Sequence, residues 1–512
     1  MKIRWPRFGP LLRILEFLDG PRGPFEKARG ARLLSPVRRG VVFLRGHLAI
    51  HVVAIILPMT VLFASSALPS QALQERHCGS DHPEETIEAC SAVIRSGQER
   101  GINLARAFYV RGSAYMHKGD YDRAIQDFND ALRLSPTFAN AFYSRGAAYA
   151  NKNDYDEAIQ NYNQALRLNP SLANALYDRG LAYGHKGDYD RAIQDYNESL
   201  RLSPTFANAF YSRGVAYAFK SDYEHAFQDY NHALELNPSL TYAIYDRGLA
   251  FAHTGDFDRA IQDFNAVLRL NATFPDALYG RGLAYVHKGN YDRAIQDYDQ
   301  ALRINPNYAD ALVGRGDAFK RKGNYDRAIQ DFNDALRLNP NHLDSFYERG
   351  LAYSGKGDYD RAITDYDQAL QLNPRFANAY YSLGVAYEHK GDYDRAIGDF
   401  DQSLQLSPND ADAFDGRGLA YARRGYYDSA IQDYDEALRI NSSYAGAFYN
   451  RSQAYMHKGD YLRAITDNGH FFRLKFGTLG ITIWLCILAS AAALAFGFKF
   501  KWFRKGSISR QQ

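Results

Sequence analysis

Apolar residues between 105 and 475 recur at helical steps, and the rhythm restarts at regular points. In 139–172, ANAFYSRGAAYANKNDYDEAIQNYNQALRLNPSL, Phe142, Tyr149 and the small residues Ala141, Gly146 and Ala148 predict one helix with a single buried stripe. A second stripe, such as Ile125, Phe128, Ala131 and Leu132, predicts a second helix. Between the two stands a glycine, such as Gly119 or Gly187, suited to a left-handed C-terminal cap; Asn153 and Ser221 take its place in two units. Asp or Asn follows in ten of eleven units (Asp120, Asp188, Asn290), ready to N-cap the second helix, with Tyr426 the exception. Asn-Pro or Ser-Pro then stops that helix.

The hairpin repeats with a period of 34: glycine returns at 112, 146, 180 and onward to 418, and alanine in phase from 124 to 464. An aromatic holds the next register from Phe128 to Tyr434, and proline closes most units from Pro136 to Pro408. Gly146 and Ala158 would let the two backbones approach closely. No single hairpin can bury both faces, so each leans on its neighbours in a quasi-one-dimensional array. These residues resemble the tetratricopeptide repeat (TPR). The resemblance covers ten units over 105–444, with a degenerate eleventh over 445–475. It implies an all-α TPR superhelix, an α-solenoid of antiparallel helix pairs, of the kind that binds partners along a concave wall.

One pair of positions departs from the common TPR pattern. Arg stands immediately before the repeated glycine, and Asp recurs sixteen residues later; Arg179 with Asp195, Arg213 with Asp229 and Arg247 with Asp263 are examples. The turn lies midway, so folding the hairpin brings both to one height, and an ion pair at the seam between the helices is expected. Two units break the pattern, with Asn161 opposite Arg145 and Leu383 opposite Asp399.

Charge changes the picture at the ends. The net +3 is uneven: residues 1–46 carry +8 and the tail 499–512 carries +5, leaving −10 for the body. An acidic body argues against nucleic acid, and basic ends suit the cytoplasmic side of a membrane. Two apolar runs agree. LAIHVVAIILPMTVLFASSA (48–67) follows Arg38, Arg39 and Arg45, and SQA (70–72) offers a cleavage-like site, so 48–72 reads as a signal peptide or signal anchor after a basic segment, 1–47. FGTLGITIWLCILASAAALAFGF (476–498) has 23 residues without a charge, enough for a C-terminal transmembrane helix before a basic cytoplasmic tail. That topology places the repeats outside the cytoplasm, periplasmic if the bilayer is a bacterial inner membrane. Gly469 and Gly477 weaken the junction without having to break it, so the array is expected close to the bilayer. Residues 73–104 read as N-terminal cap helices, where Cys78 and Cys90 form a disulfide expected of an oxidising compartment.

The candidate chemistry is recognition. There is no nucleophile elbow, phosphate-binding glycine loop or zinc signature, and Cys78, Cys90, His77 and His82 fit no zinc spacing. No enzyme, cofactor or metal is expected. Histidines such as His185, His253 and His287 share one repeat position, but stacked units about 10 Å apart are too far apart to share a metal at about 2.1 Å. The TPR resemblance implies that the residue three before the glycine lines the concave wall; here it is Tyr109, Tyr143, Tyr177, Tyr211, Tyr245, Tyr279, Tyr347 and Tyr381, interrupted by Val313 and Asp415. A groove of tyrosines with histidine tips is the expected site. Its expected occupant is a protein or extended peptide; the alternative is an envelope glycan stacked on the rings.

Overall fold

A computed structural model of the chain describes Cys78, residues 82–477, 479–482 and Trp484. The segments 1–47 and 48–72, the tail 499–512 and most of the apolar run 476–498 lie outside the described residues. No helix among those described is long and apolar enough to cross a membrane. The described elements are helices throughout, with no strand among them. They form two compact units that divide between Asn290 and Tyr291.

The first unit opens on Pro83–Ser96, which packs against Gly101–His117. Antiparallel pairs follow, for example Ala173–His185 with Tyr189–Leu202 and Ala207–Phe219 with Tyr223–Leu236, and the unit closes on Pro275–His287. The second unit begins at Tyr291–Ile304 and continues through pairs such as Ala309–Arg321 with Tyr325–Leu338. It reaches Ala445–Lys458, whose partner is helical over 461–477. The eleventh unit is therefore a full hairpin. At the chain's other end Cys78 and Cys90 are joined by a disulfide, and Cys90 is fully buried.

Local chemistry explains the turns. Gly187 takes a left-handed φ of 78°, and Asn153 and Ser221 are forced to 62° where glycine is missing. The Asp188 side chain accepts from the backbone N–H of Arg191, capping the second helix, whereas Tyr426 makes no side-chain cap. The repeated glycine is a seat for the second helix's aromatic ring. A Cβ on Gly180 would stand 2.7 Å from Cε1 of Tyr196 and 3.2 Å from the Ala192 carbonyl. Gly146 relates to Tyr162 in the same way, at 2.8 Å.

The seam is held by arginine. Nε and Nη2 of Arg179 donate to the two carboxylate oxygens of Asp195 at 2.8 and 2.6 Å. Nη1 donates to Asn163 of the preceding second helix at 2.6 Å. Arg213 (Asp229, Asn197) and Arg247 (Asp263, Asn231) repeat this three-point grip. In the second unit Arg315 and Arg417 grip a carboxylate on either side, Asp331 with Asp299 and Asp433 with Asp401. Arg111 reaches Ser91 instead, at 2.9 Å, so Pro83–Ser96 stands in for a preceding repeat. Arg145 meets the neutral Asn161 at 2.6 Å. Burial pushes the Asp195 carboxyl up, and the guanidinium beside it pulls it back.

The C-terminal junction turns at the second of its two glycines. Gly477 has a φ of 62°, and Trp484 comes back over Gly469, 3.6 Å from where a Cβ would stand. The helix therefore does not run straight on from 461 into the apolar run; a glycine at a helix end relieves the left-handed turn that any other residue would resist.

Two outcomes follow from the seam and the turns. Replacing Arg179 or Asp195 alone by leucine leaves a half-buried charge and should cost about 3 kcal/mol; the double variant should cost less than the sum. Hydrogen exchange across 173–202 reads both, and purely additive losses would show that the pair is not coupled. Ser221→Gly should stabilise the same kind of measurement around its turn by about 1 kcal/mol, because the left-handed strain is removed.

Candidate functional site

Within each unit the first helices of successive repeats lie side by side, as Ala173–His185 does with Ala207–Phe219. The face they form is where recognition was expected, but the tyrosine row is not its lining. Tyr177, Tyr211, Tyr245, Tyr279 and Tyr347 are buried to 5 % exposure or less, and Tyr109, Tyr143 and Tyr381 are half-buried. The rings fill the gap between repeats. Tyr177 lies between Tyr196 at 5.9 Å and Phe206 at 4.7 Å, and Tyr245 between Phe264 and Phe274. The same burial leaves Tyr177, Tyr211, Tyr245, Tyr279 and Tyr347 no open ring face on which a sugar could stack.

The hydroxyls do reach forward. Tyr143 donates to Asp178 and Tyr211 to Asp246, each at 2.7 Å, and Tyr177 and Tyr347 lie 3.3 Å from Ser212 and Ser382. Burial raises Asp178 to about 6 and Asp246 to about 7, against the pull of the tyrosine hydroxyls.

The histidines also leave the groove. His185 stacks on Tyr155 at 4.4 Å and His287 on Phe257 at 4.6 Å, while His253 tilts against Tyr223 at 4.9 Å. Each closes the turn end of its repeat onto the preceding one, and burial lowers His253. They pack between repeats rather than standing at the groove.

The first-helix faces of the two units differ in chemistry. Four residues after the repeated glycine, the first unit has Met116, Ala150, Gly184, Ala218, Ala252 and Val286. The second unit has Lys320, Ser354, Glu388, Ala422 and Met456 at that position, so charge enters at two of its five repeats. Lys320 pairs with Glu348 of the next first helix and with Asp317 at 3.0 Å, while Arg321 reaches Asp317 at 2.7 Å. These four side chains keep between 17 and 33 % exposure. Burial opposes the charge on Lys320, but Glu348 and Asp317 hold its pKa above the ordinary lysine value. Burial pushes the Asp317 carboxyl up, yet Lys320 and Arg321 keep it below the usual carboxylate range. Farther on, Asp415 replaces the tyrosine and accepts from Asn450 at 3.0 Å; burial raises it to about 6. Glu388 lies 4.0 Å from the exposed Arg423. Sequence reading recorded Val313 and Asp415 only as interruptions.

Tetratricopeptide-repeat profiles match at 112–153, 149–187, 173–206, 207–240, 245–309, 289–342, 347–411 and 418–459. The chain belongs to the tetratricopeptide-repeat family. Comparison with curated proteins gives no match. Among solved structures it is similar to a tetratricopeptide repeat protein from Parabacteroides merdae, with 24% identity over 48% of this chain and 98% of that one and a TM-score of 0.41. It is also similar to the APC/C hetero-tetramer Cut9–Hcn1, with 15% identity over 81% and 94% and a TM-score of 0.41. A third is YrrB, described as a TPR protein with an unusual peptide-binding site, with 23% identity over 36% and 95% and a TM-score of 0.31.

In one repeat the seam arginine itself is missing. Leu383, buried among apolar neighbours, stands where the arginine should be, and both carboxylates it would have gripped, Asp367 and Asp399, are raised. Burial, then Asp367 nearby, takes Asp399 to about 7, with Arg395 acting weakly against. A raised carboxyl binds more protons folded than unfolded, so stability falls as pH rises from about 4 to about 7 and stays low above. Leu383→Arg should therefore stabilise 377–410 by about 1–2 kcal/mol at pH 8 and by much less at pH 5. An equal gain at both pH values, read by hydrogen exchange, would rule out the carboxylates as the cause.

Proposed function

We propose that the chain is a membrane-tethered, non-catalytic scaffold that holds a protein or extended peptide against the first-helix face of its second unit, on the extracytoplasmic side. The observation that carries this reading is the charge of Lys320 and Glu388 at a face position where the other repeats have an uncharged residue. Packing needs the same residues in every repeat; recognition needs them to differ. Partly exposed charges orient a partner and exclude wrong ones. Family membership supports a protein partner. The apolar run 476–498 followed by five basic residues supports the tether and the direction, and the joined Cys78 and Cys90 support an oxidising compartment.

A photoreactive residue in place of Arg423, whose side chain is 59 % exposed, should capture a partner in envelope preparations. The same residue in place of His117, at the equivalent position of the first unit, should not. The adduct should disappear with protease and survive glycosidase. Equal capture from both positions, or an adduct removed by glycosidase, would overturn the reading.

A further inference from the structure

Among the described residues no further hairpin follows the eleventh, and its second helix is the place where the repeat's residues change character. At the position after the first aromatic of the second helix, ten repeats carry an acid: Asp122, Asp156, Asp190, Glu224 and so on to Asp428. In most, that acid takes a lysine from the following repeat, as Asp122 does with Lys152 and Asp258 with Lys288. These acids are solvated even when paired; Asp122 keeps 82 % exposure. A terminal repeat facing water would therefore lose nothing by keeping the acid. Here it is Leu462, 77 % exposed.

Leu462 does not stand alone. Tyr461 is 61 % exposed, Ile465 38 % and Phe476 49 %, and 462, 465 and 476 fall on one helical face whose middle, Gly469 and Phe472, is half-buried. Just past the turn at Gly477, Leu479 is 67 % exposed. Arg463, Arg473 and Lys475 are exposed on the same helix, while its Asp467 is buried and held by Arg451 at 2.8 Å. The exposed surface is thus apolar with a positive rim, a combination that marks an interaction site rather than a solvated end.

Sign and continuity choose the occupant. A second copy of this face would bring the same basic residues against it and be repelled. A following repeat from another chain would bring a lysine to a position that now offers no acid. The headgroup layer of a bilayer is anionic above and apolar beneath, and the uncharged run to 498 begins at this helix, at residue 476. Trp484, already folded back over Gly469, belongs to a residue type enriched at that boundary.

We infer that the 461–477 helix lies on the membrane surface, with Leu462, Ile465 and Phe476 entering the boundary between headgroups and acyl chains and Arg463, Arg473 and Lys475 reaching lipid phosphates. This rests on the tether at 476–498 and adds to it a fixed attitude: the last repeat docks on the lipid as though the bilayer were its next neighbour.

The test uses the full chain in nanodiscs of phosphatidylcholine and phosphatidylglycerol, with Cys486→Ser and single nitroxide-labelled cysteines at Leu462, Ile465, Asp122 or Ala492. Collision with dissolved oxygen against a water-soluble nickel chelate reads depth. Labels at 462 and 465 should lose access to the chelate, while the label at 122 keeps it and the label at 492 reads the acyl interior. Leu462→Asp, which restores the repeat's residue at an exposed site, should return the 465 label to water with 492 unchanged. Chelate access at 462 and 465 equal to that at 122, with 492 still in the acyl interior, would overturn the docking while leaving the tether. A water-exposed 492 would remove the tether and the docking with it.

Discussion

The structure depends on one guanidinium used three ways. Two of its donors close the hairpin by taking both oxygens of the aspartate sixteen residues on, and a third crosses to the second helix of the repeat before. Fold and stacking are therefore specified by one group. Planarity matters: arginine presents its donors in a fixed fork, which a lysine cannot reproduce. The aspartates are buried at 3–7 % exposure in Asp127, Asp195, Asp229 and Asp263, so the arrangement is tolerable only because each charge is met and each oxygen bonded.

Around that grip the aromatic residues divide their work. The second-helix ring sits on the bare backbone of the repeated glycine, and the first-helix tyrosine fills the space between repeats while its hydroxyl reaches the next first helix. The turn-end histidine lies on the first ring of the preceding second helix. The exposed lysine and aspartate pairs at the turns add little, since both partners remain in water. Each repeat thus meets its neighbours through the same few contacts, which is why nearly the same residues recur from one 34-residue unit to the next. Charge enters the first-helix face of the second unit at Asp317, Lys320 and Glu388, positions where the other repeats carry uncharged residues.

The sequence and the structure agree best where the determinant is local. Helix ends, the Asp188 cap, the left-handed positions of Gly187, Asn153 and Ser221, and the uncapped Tyr426 can all be read from short-range steric and hydrogen-bonding rules. The Arg and Asp pairing was also legible, because a hairpin with its turn midway between two residues must bring them to one height. The third bond of the arginine, to the preceding repeat, was not, since it depends on how far one hairpin is offset from the next.

The candidate site shows the same division. Periodicity placed Tyr177, Tyr211 and Tyr245 on the first helix but could not say which way that helix turns toward its neighbours, and a small rotation separates a lining ring from a buried one. Likewise the missing charge at Leu383 was visible as an interruption, while its effect on Asp367 and Asp399 required both to be brought beside it. By itself the sequence determined the helices, their caps, the period and the pairing inside each hairpin, because those follow from chain geometry over a few dozen residues. Only the tertiary structure decided which side chains the stacking covers and which it leaves exposed, Leu462 among them, because burial is set by neighbours that no single repeat contains.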